Sequence, residues 1–224
     1  MSTLLVVIRH GESNYNRERR WQGQSQDAIL NELGWRQAAC VAEAVRDLRA
    51  AALFSSDLSR AIQTAVPVAH AVNLPIYPEA RLREISAGSW TDRPSDEVTL
   101  EEPERVRAWN DKPASTSPTD GETLAQAQER ILSFVRERAA QYDGQTVLVG
   151  THGAILQTLM AAAQGLSLDD LWLDTPAANG AIVHIEYDNG RLRQLAPPSI
   201  AHLAPLGAEG ITLGSAGGPG PKVV

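Results

Sequence analysis

Residues 4–13 read Leu4-Leu5-Val6-Val7-Ile8-Arg9-His10-Gly11-Glu12-Ser13. Five consecutive apolar residues specify a strand buried on both faces, the pattern of a parallel sheet covered by helices. An arginine and a histidine leave that strand at its carboxyl end, where open α/β sheets bind their ligands. Further strands are predicted at Ala52–Ser55, Pro75–Tyr77, Thr146–Val149 and Ala181–Tyr187. Helical patterns lie at Asn31–Leu48, Asp57–Val72, Leu124–Tyr142 and Ala154–Ala163. In the first of these, Asn31 is the expected N-cap and Ala38, Val41, Ala42 and Val45 form the apolar stripe. The alternation predicts an α/β fold: a mostly parallel central sheet flanked by helices. Asp188-Asn189-Gly190 before Arg191–Leu195 signals a hairpin that adds an antiparallel edge strand.

Periodicity fades between Ser86 and Glu122, a stretch rich in Pro, Asp, Glu, Ser and Thr with Trp90 and Trp109 as its large apolar anchors. A long excursion inside a compact domain reads as a short inserted cap folding over the active site. The expected organisation is one domain over residues 1–204, the cap insertion at about 86–122, and a Gly/Pro-rich C-terminal tail over 205–224.

The chain has 224 residues and a net charge of -7, which argues against a nucleic-acid partner. A local anion site needs only a few cations. No run approaches the ~20 apolar residues of a membrane span, and a single cysteine, Cys40, rules out an internal disulfide framework. A cytoplasmic protein with no membrane partner is expected. No interface helix or heptad declares itself, so the oligomeric state, homodimer included, stays open.

Each strong strand end before residue 155 carries a polar group suited to phosphate. Ser55-Ser56-Asp57-Leu58-Ser59-Arg60-Ala61 leads from a strand into a helix start, where free N–H groups and the dipole favour anions. Arg60 adds a fork matched to phosphate oxygens. Val149-Gly150-Thr151-His152-Gly153 repeats the strand-to-helix arrangement, Leu82-Arg83-Glu84-Ile85 follows the short third strand, and Asn16 lies six residues past His10.

With Trp21-Gln22-Gly23, Leu30-Asn31-Glu32-Leu33-Gly34 and Gly121-Glu122-Thr123 in the same order, the chain resembles the histidine phosphatase superfamily from about Thr3 to His202. The resemblance implies a phosphoglycerate mutase-like fold and places His10 as the nucleophile that takes the phosphoryl group. Arg9, Arg60 and His152 would neutralise the equatorial oxygens, and Asn16 would add a neutral donor. Glu84 would protonate the leaving alkoxide and then activate water. Gln22, Gly23 and Gly153 would approach the phosphate or substrate, while Glu12 would orient the neighbouring loop. No cofactor and no metal are required, because the arginines supply the charge.

The partner implied is a small-molecule phosphate ester. Trp21, Trp90 and Trp109 are candidates to line its pocket, and Arg83, Arg93, Arg105, Arg107 and Lys112 are candidate cap contacts. Hydrolysis is favoured over a mutase reaction. Phosphoglycerate mutases carry a tyrosine and a lysine soon after the acid, whereas here Ala87 stands near the tyrosine position and no lysine follows until Lys112. A non-catalytic phospholigand sensor is the third reading, and such members usually lose the nucleophile or an arginine. Two departures from the family pattern stand out: Gly88-Ser89-Trp90-Thr91-Asp92 lacks the acidic-glycine step, and Ala154 replaces a second glycine.

Overall fold

A computed structural model of the chain describes residues 1–173 and 177–212. Strands β1 (Thr3–Arg9), β2 (Ala50–Ser55), β3 (Ile76–Pro78), β4 (Thr146–Thr151), β5 (Ile182–Asp188) and β6 (Arg191–Gln194) form one six-stranded sheet in the order β3-β2-β4-β1-β5-β6. The first four in that order run parallel, and β5 and β6 add an antiparallel edge.

Alternate side chains of a strand face opposite ways, and here both faces are dry. Val6, Ile8, Leu53 and Leu148 pack against Val41, Val45, Ala65 and Val68 of α2 (Glu32–Val45) and α3 (Ser59–Val72). Leu5, Val7, Phe54, Val147 and Val149 pack against Ile131, Phe134, Ile155 and Leu159 of α6 (Leu124–Gln141) and α7 (Gly153–Gln164). This double burial is why the strands read as unbroken apolar runs. Local caps fix the helix starts. Asn31 accepts from the Gly34 amide at 2.9 Å, and Thr123 with Gln126 closes a capping box on α6.

The stretch from Ser86 to Glu122 is more structured than its sequence suggests, with α4 (Ser95–Glu101) and α5 (Pro103–Asp111). Trp90, Val98 and Trp109 fasten these short helices to the core above α6. The Trp21 ring packs against that of Trp90, tilted by 52° with centroids 4.7 Å apart. The three tryptophans therefore act as packing anchors, with exposures of 6% or less. Asp92 adopts a left-handed φ of 67°, so an aspartate holds a backbone conformation that favours glycine.

The tail expected from Pro205 is docked as far as Thr212. Leu203 is buried just before it, and Gly210 and Thr212 accept hydrogen bonds from Gln37 and Asn179. The remainder, 213–224, lies outside the described residues. Among the described residues no helix is long and apolar enough to cross a membrane.

Candidate active site

The carboxyl ends of β1, β2 and β4 meet at one point. Arg9 ends β1 and its guanidinium donates to the Ala177 carbonyl. His10 follows, its backbone N–H bound to Thr151 at 3.0 Å. Its Nδ1 lies 2.7 Å from the Gly11 carbonyl, which fixes the ring proton on Nδ1 and makes Nε2 the acceptor of the ring. Ser13 then caps the five-residue α1 (Asn14–Glu18) through a reciprocal capping box with Asn16. Asn16 Oδ1 accepts from Ser13 and from Asn179, whereas its buried Nδ2 has no partner. An unpartnered amide donor in this position is open to an anion.

Arg60 reaches in from the first turn of α3. It donates to the Gly23 carbonyl at 2.9 Å, to Ser25 at 3.2 Å, and through Nε to His10 Nε2 at 3.3 Å. His152 is the N-cap of α7, with its ring 5.1 Å from that of His10. Its Nε2 lies 2.8 Å from Ser56 Oγ, and its buried Nδ1 has no hydrogen-bond partner. Gly153 opens α7, so its amide belongs to the positive end of a twelve-residue helix.

Glu84 comes from the loop after β3. Its carboxylate accepts from the amide of Ile85 at 2.9 Å and from that of Ala154 at 3.3 Å. The second contact uses only backbone, so alanine in place of glycine at 154 leaves it intact.

The charges are set by burial. His10 is held well below the ordinary histidine value, first by desolvation and then by the Arg60 and Arg9 cations. His152 is lowered likewise, burial leading and Arg60 following. Both rings are neutral at neutral pH. Burial pulls Arg9 and Arg60 down to about 10, opposed in each case by Glu84. Both remain cations. Among the described residues the pocket thus gathers the Arg9 and Arg60 guanidinium groups, the Glu84 carboxyl group and two neutral imidazoles. Among the described residues no group of three or more His, Cys, Asp and Glu is placed to hold a metal ion.

All nine residues singled out from the sequence are buried around this point. Gln22 accepts from Ser13 Oγ at 2.9 Å, and Glu12 accepts from Asn31 Nδ2 at 2.6 Å, which ties the loop to α2. The candidate cap contacts fare differently. Arg83 is bound through both nitrogens of its fork to Asp57, at 2.6 and 2.5 Å. Arg93 is paired with Glu97 and Glu101, and Arg105 with Glu102. These three guanidinium groups are neutralised within the chain.

Sequence reasoning missed Asn179, which is fully buried and donates to the carbonyls of His10 and Gly11 and to Asn16. The Asn179-Gly180 turn directly before an apolar run was the signal available. It also missed Ser56 as the partner of His152.

Comparison with known proteins points to one family. The model of the histidine phosphatase superfamily (branch 1) matches residues 5–196. The chain is 32% identical over 183 residues to Phosphoserine phosphatase 1 of Hydrogenobacter thermophilus, spanning 81% of this chain and 86% of that protein. It is 36% identical over 163 residues to Probable phosphoglycerate mutase GpmB of Yersinia pestis, spanning 72% and 75%. Among solved structures, Bacillus stearothermophilus YhfR superposes with a TM-score of 0.84 at 35% identity, covering 89% of this chain and 98% of that one.

Proposed function

Because the chain belongs to the histidine phosphatase superfamily (branch 1), we propose that it is a phosphoric monoester hydrolase that works on small phosphorylated metabolites through a phosphohistidine at His10. One observation carries the reading. The His10 proton sits on Nδ1 against Gly11, and Nε2 faces the Arg60 guanidinium at 3.3 Å. A neutral imidazole lone pair beside a buried cation is a nucleophile placed against an anion-binding group.

In the reaction, His10 Nε2 attacks phosphorus in line and the bond to the ester oxygen breaks. Glu84, a carboxylate in the free protein, takes up a proton together with the bound phosphate ester and gives it to the departing alkoxide, so the alcohol leaves neutral. Arg9, Arg60, the Asn16 amide, His152 and the Gly153 N–H take up the charge on the equatorial oxygens. Glu84, now a carboxylate, removes a proton from water as its oxygen attacks the phosphohistidine. The phosphorus–nitrogen bond breaks, inorganic phosphate is released, and both groups return to their starting states. A cytoplasmic location fits a small-molecule ester as substrate and the lone Cys40.

The mutase reading is favoured by the relative of that name, but a bisphosphate needs cations beyond the transferring phosphate. Arg83, beside the acid, is held by Asp57 instead.

The test is phosphate release from a panel of phosphomonoesters with EDTA present, His10→Ala run alongside. Release that survives EDTA and falls by at least about 10³-fold in the variant is expected. Isomerisation of 3-phosphoglycerate without phosphate release would replace the hydrolase by a mutase, and inactivity on every ester would reject both.

A further inference from the structure

Glu84 sits on a loop with little regular hydrogen bonding of its own, yet its backbone carbonyls are taken one after another by side chains. Arg130, on α6, donates to the carbonyl of Arg81 at 2.8 Å and of Arg83 at 2.9 Å, and more weakly to that of Glu84 at 3.5 Å. Thr151 Oγ1 donates to the Leu82 carbonyl between them at 2.9 Å. Gln24, from the loop that also carries Gly23, donates to the Glu84 carbonyl at 3.0 Å.

The Arg130 fork is itself aimed by Glu122. Its Nε and Nη2 meet the two carboxylate oxygens of Glu122 at 3.1 and 2.9 Å. One of those oxygens also accepts the Ser86 amide at 2.8 Å, and the Glu122 amide returns a bond to the Ser86 carbonyl at 2.9 Å. A single ion pair therefore holds the loop by its carbonyls before Glu84 and by an amide after it. Both partners are mostly shielded, with side-chain exposures of 18% and 23%. A lone surface pair would contribute little, but this one is bidentate and satisfies backbone groups that would otherwise be stranded.

Resting on the assignment of Glu84 as proton donor, we propose that Arg130 and Glu122 are positioning residues for that proton transfer. They set where the Glu84 carboxyl stands relative to the ester oxygen, without touching the substrate. Partners one layer out from the chemistry commonly matter by 10–100-fold, because proton transfer tolerates little displacement.

The consequence is selective. A good leaving group, such as the phenolate of para-nitrophenyl phosphate, departs without a proton, whereas an alkyl oxygen needs one. In kcat/KM, which reports steps up to phosphohistidine formation, a displaced acid slows the alkyl ester alone. The experiment measures kcat/KM of wild type, Arg130→Lys and Glu122→Gln on para-nitrophenyl phosphate and on the best alkyl ester of the panel, with Tm recorded for each. Lysine keeps the charge but cannot bridge the two carbonyls and both carboxylate oxygens at once. Glutamine keeps an acceptor for Ser86 but not the ionic pair.

The alkyl ester should lose about 10–100-fold in Arg130→Lys, and less in Glu122→Gln, while the aryl ester changes by under about threefold. Equal losses on both esters, or no loss on either, would overturn the positioning role while leaving the hydrolase reading in place. A wild-type protein inert on both esters would remove the hydrolase reading and this inference with it.

Discussion

His152 Nε2 and Ser56 Oγ stand 2.8 Å apart, and the Ser56 oxygen already accepts the Leu58 amide at 3.3 Å. With the serine hydroxyl donating to Nε2, His152 carries its own proton on Nδ1, the buried ring atom with no partner. That tautomer presents a donor to a phosphate oxygen. The other would present a lone pair to it and repel it. Ser56→Ala frees the ring to take either form and strands the buried Leu58 amide, so kcat/KM should fall about tenfold and Tm by a few degrees, about 1–3 kcal/mol. Nitrogen NMR of the labelled imidazole should show the loss of the single Nδ1–H form, and an unchanged spectrum would refute the assignment.

Gly34 presses the first turn of α2 directly on the loop that follows His10. A Cβ at Gly34 would lie 2.1 Å from the Glu12 carbonyl oxygen, and one at Gly11 would lie 2.5 Å from the carbonyl oxygen of Gly34. Backbone on both sides cannot step aside as a flexible side chain would. Gly34→Ala should destabilise the fold by about 2 kcal/mol or more, roughly 4–8 °C in Tm, and should lower activity because the loop carries His10. Gly165→Ala is the control. Its Cβ would meet nothing within 4 Å, so only the left-handed φ of 69° opposes it, at about 1 kcal/mol. Comparable losses at both sites would show that contact with the loop is not the cause.

The contrast between these glycines and the motif residues shows what the sequence could disclose. Buried parallel strands need unbroken apolar runs and bring the residues at their carboxyl ends together, so the convergence of Arg9, His10, Arg60 and His152 was legible at once. Helices α4 and α5 were not. They are short and polar, and they are held by Trp90, Val98 and Trp109 packing on distant residues rather than by a periodic face of their own. Asn179 and Arg130 were hidden for a related reason. Each serves backbone carbonyls far away in the chain, and a carbonyl leaves no trace in the sequence. The neutralised cap arginines make the same point, since a cation's partner depends on a fold that charge counting does not see.

Acid should weaken the protein well above the range where its carboxylates titrate. His10, His152 and His202 are all held below the ordinary histidine value, burial being the leading cause in each. In the unfolded chain they protonate near pH ~6.5. Below that pH the unfolded state binds more protons than the folded one, so stability is complete above about pH 6.5 and declines as pH falls toward the native values. Each histidine contributes a slope approaching about 1.4 kcal/mol per pH unit. Urea midpoints at pH 7.5, 6.0 and 5.0 should fall steadily, and His202→Asn should make the decline shallower. A midpoint constant from pH 7.5 to 5.0 would contradict the burial of neutral rings.

Phosphate should stabilise the wild-type protein in a way that depends on Arg60. Arg9 and Arg60 are both shut away from water with Glu84 as the carboxylate that opposes their depression. Arg60 is buried with only neutral acceptors, the Gly23 and Ser25 carbonyls and His10 Nε2, within hydrogen-bond reach, an arrangement that costs stability until an anion arrives. At 100 times its Kd, phosphate should add about 2.7 kcal/mol, roughly 5–10 °C in Tm for a chain of this size. Arg60→Met keeps much of the buried volume and removes one charge. Its Tm in phosphate-free buffer should therefore be no lower than wild type, because the lost contacts to Gly23 and Ser25 are offset by relief of the desolvated cation. Its response to phosphate should vanish. A phosphate shift that survives in Arg60→Met would place the anion elsewhere, and a large drop in the phosphate-free Tm would mean that Arg60 holds the loop more than it waits for a ligand.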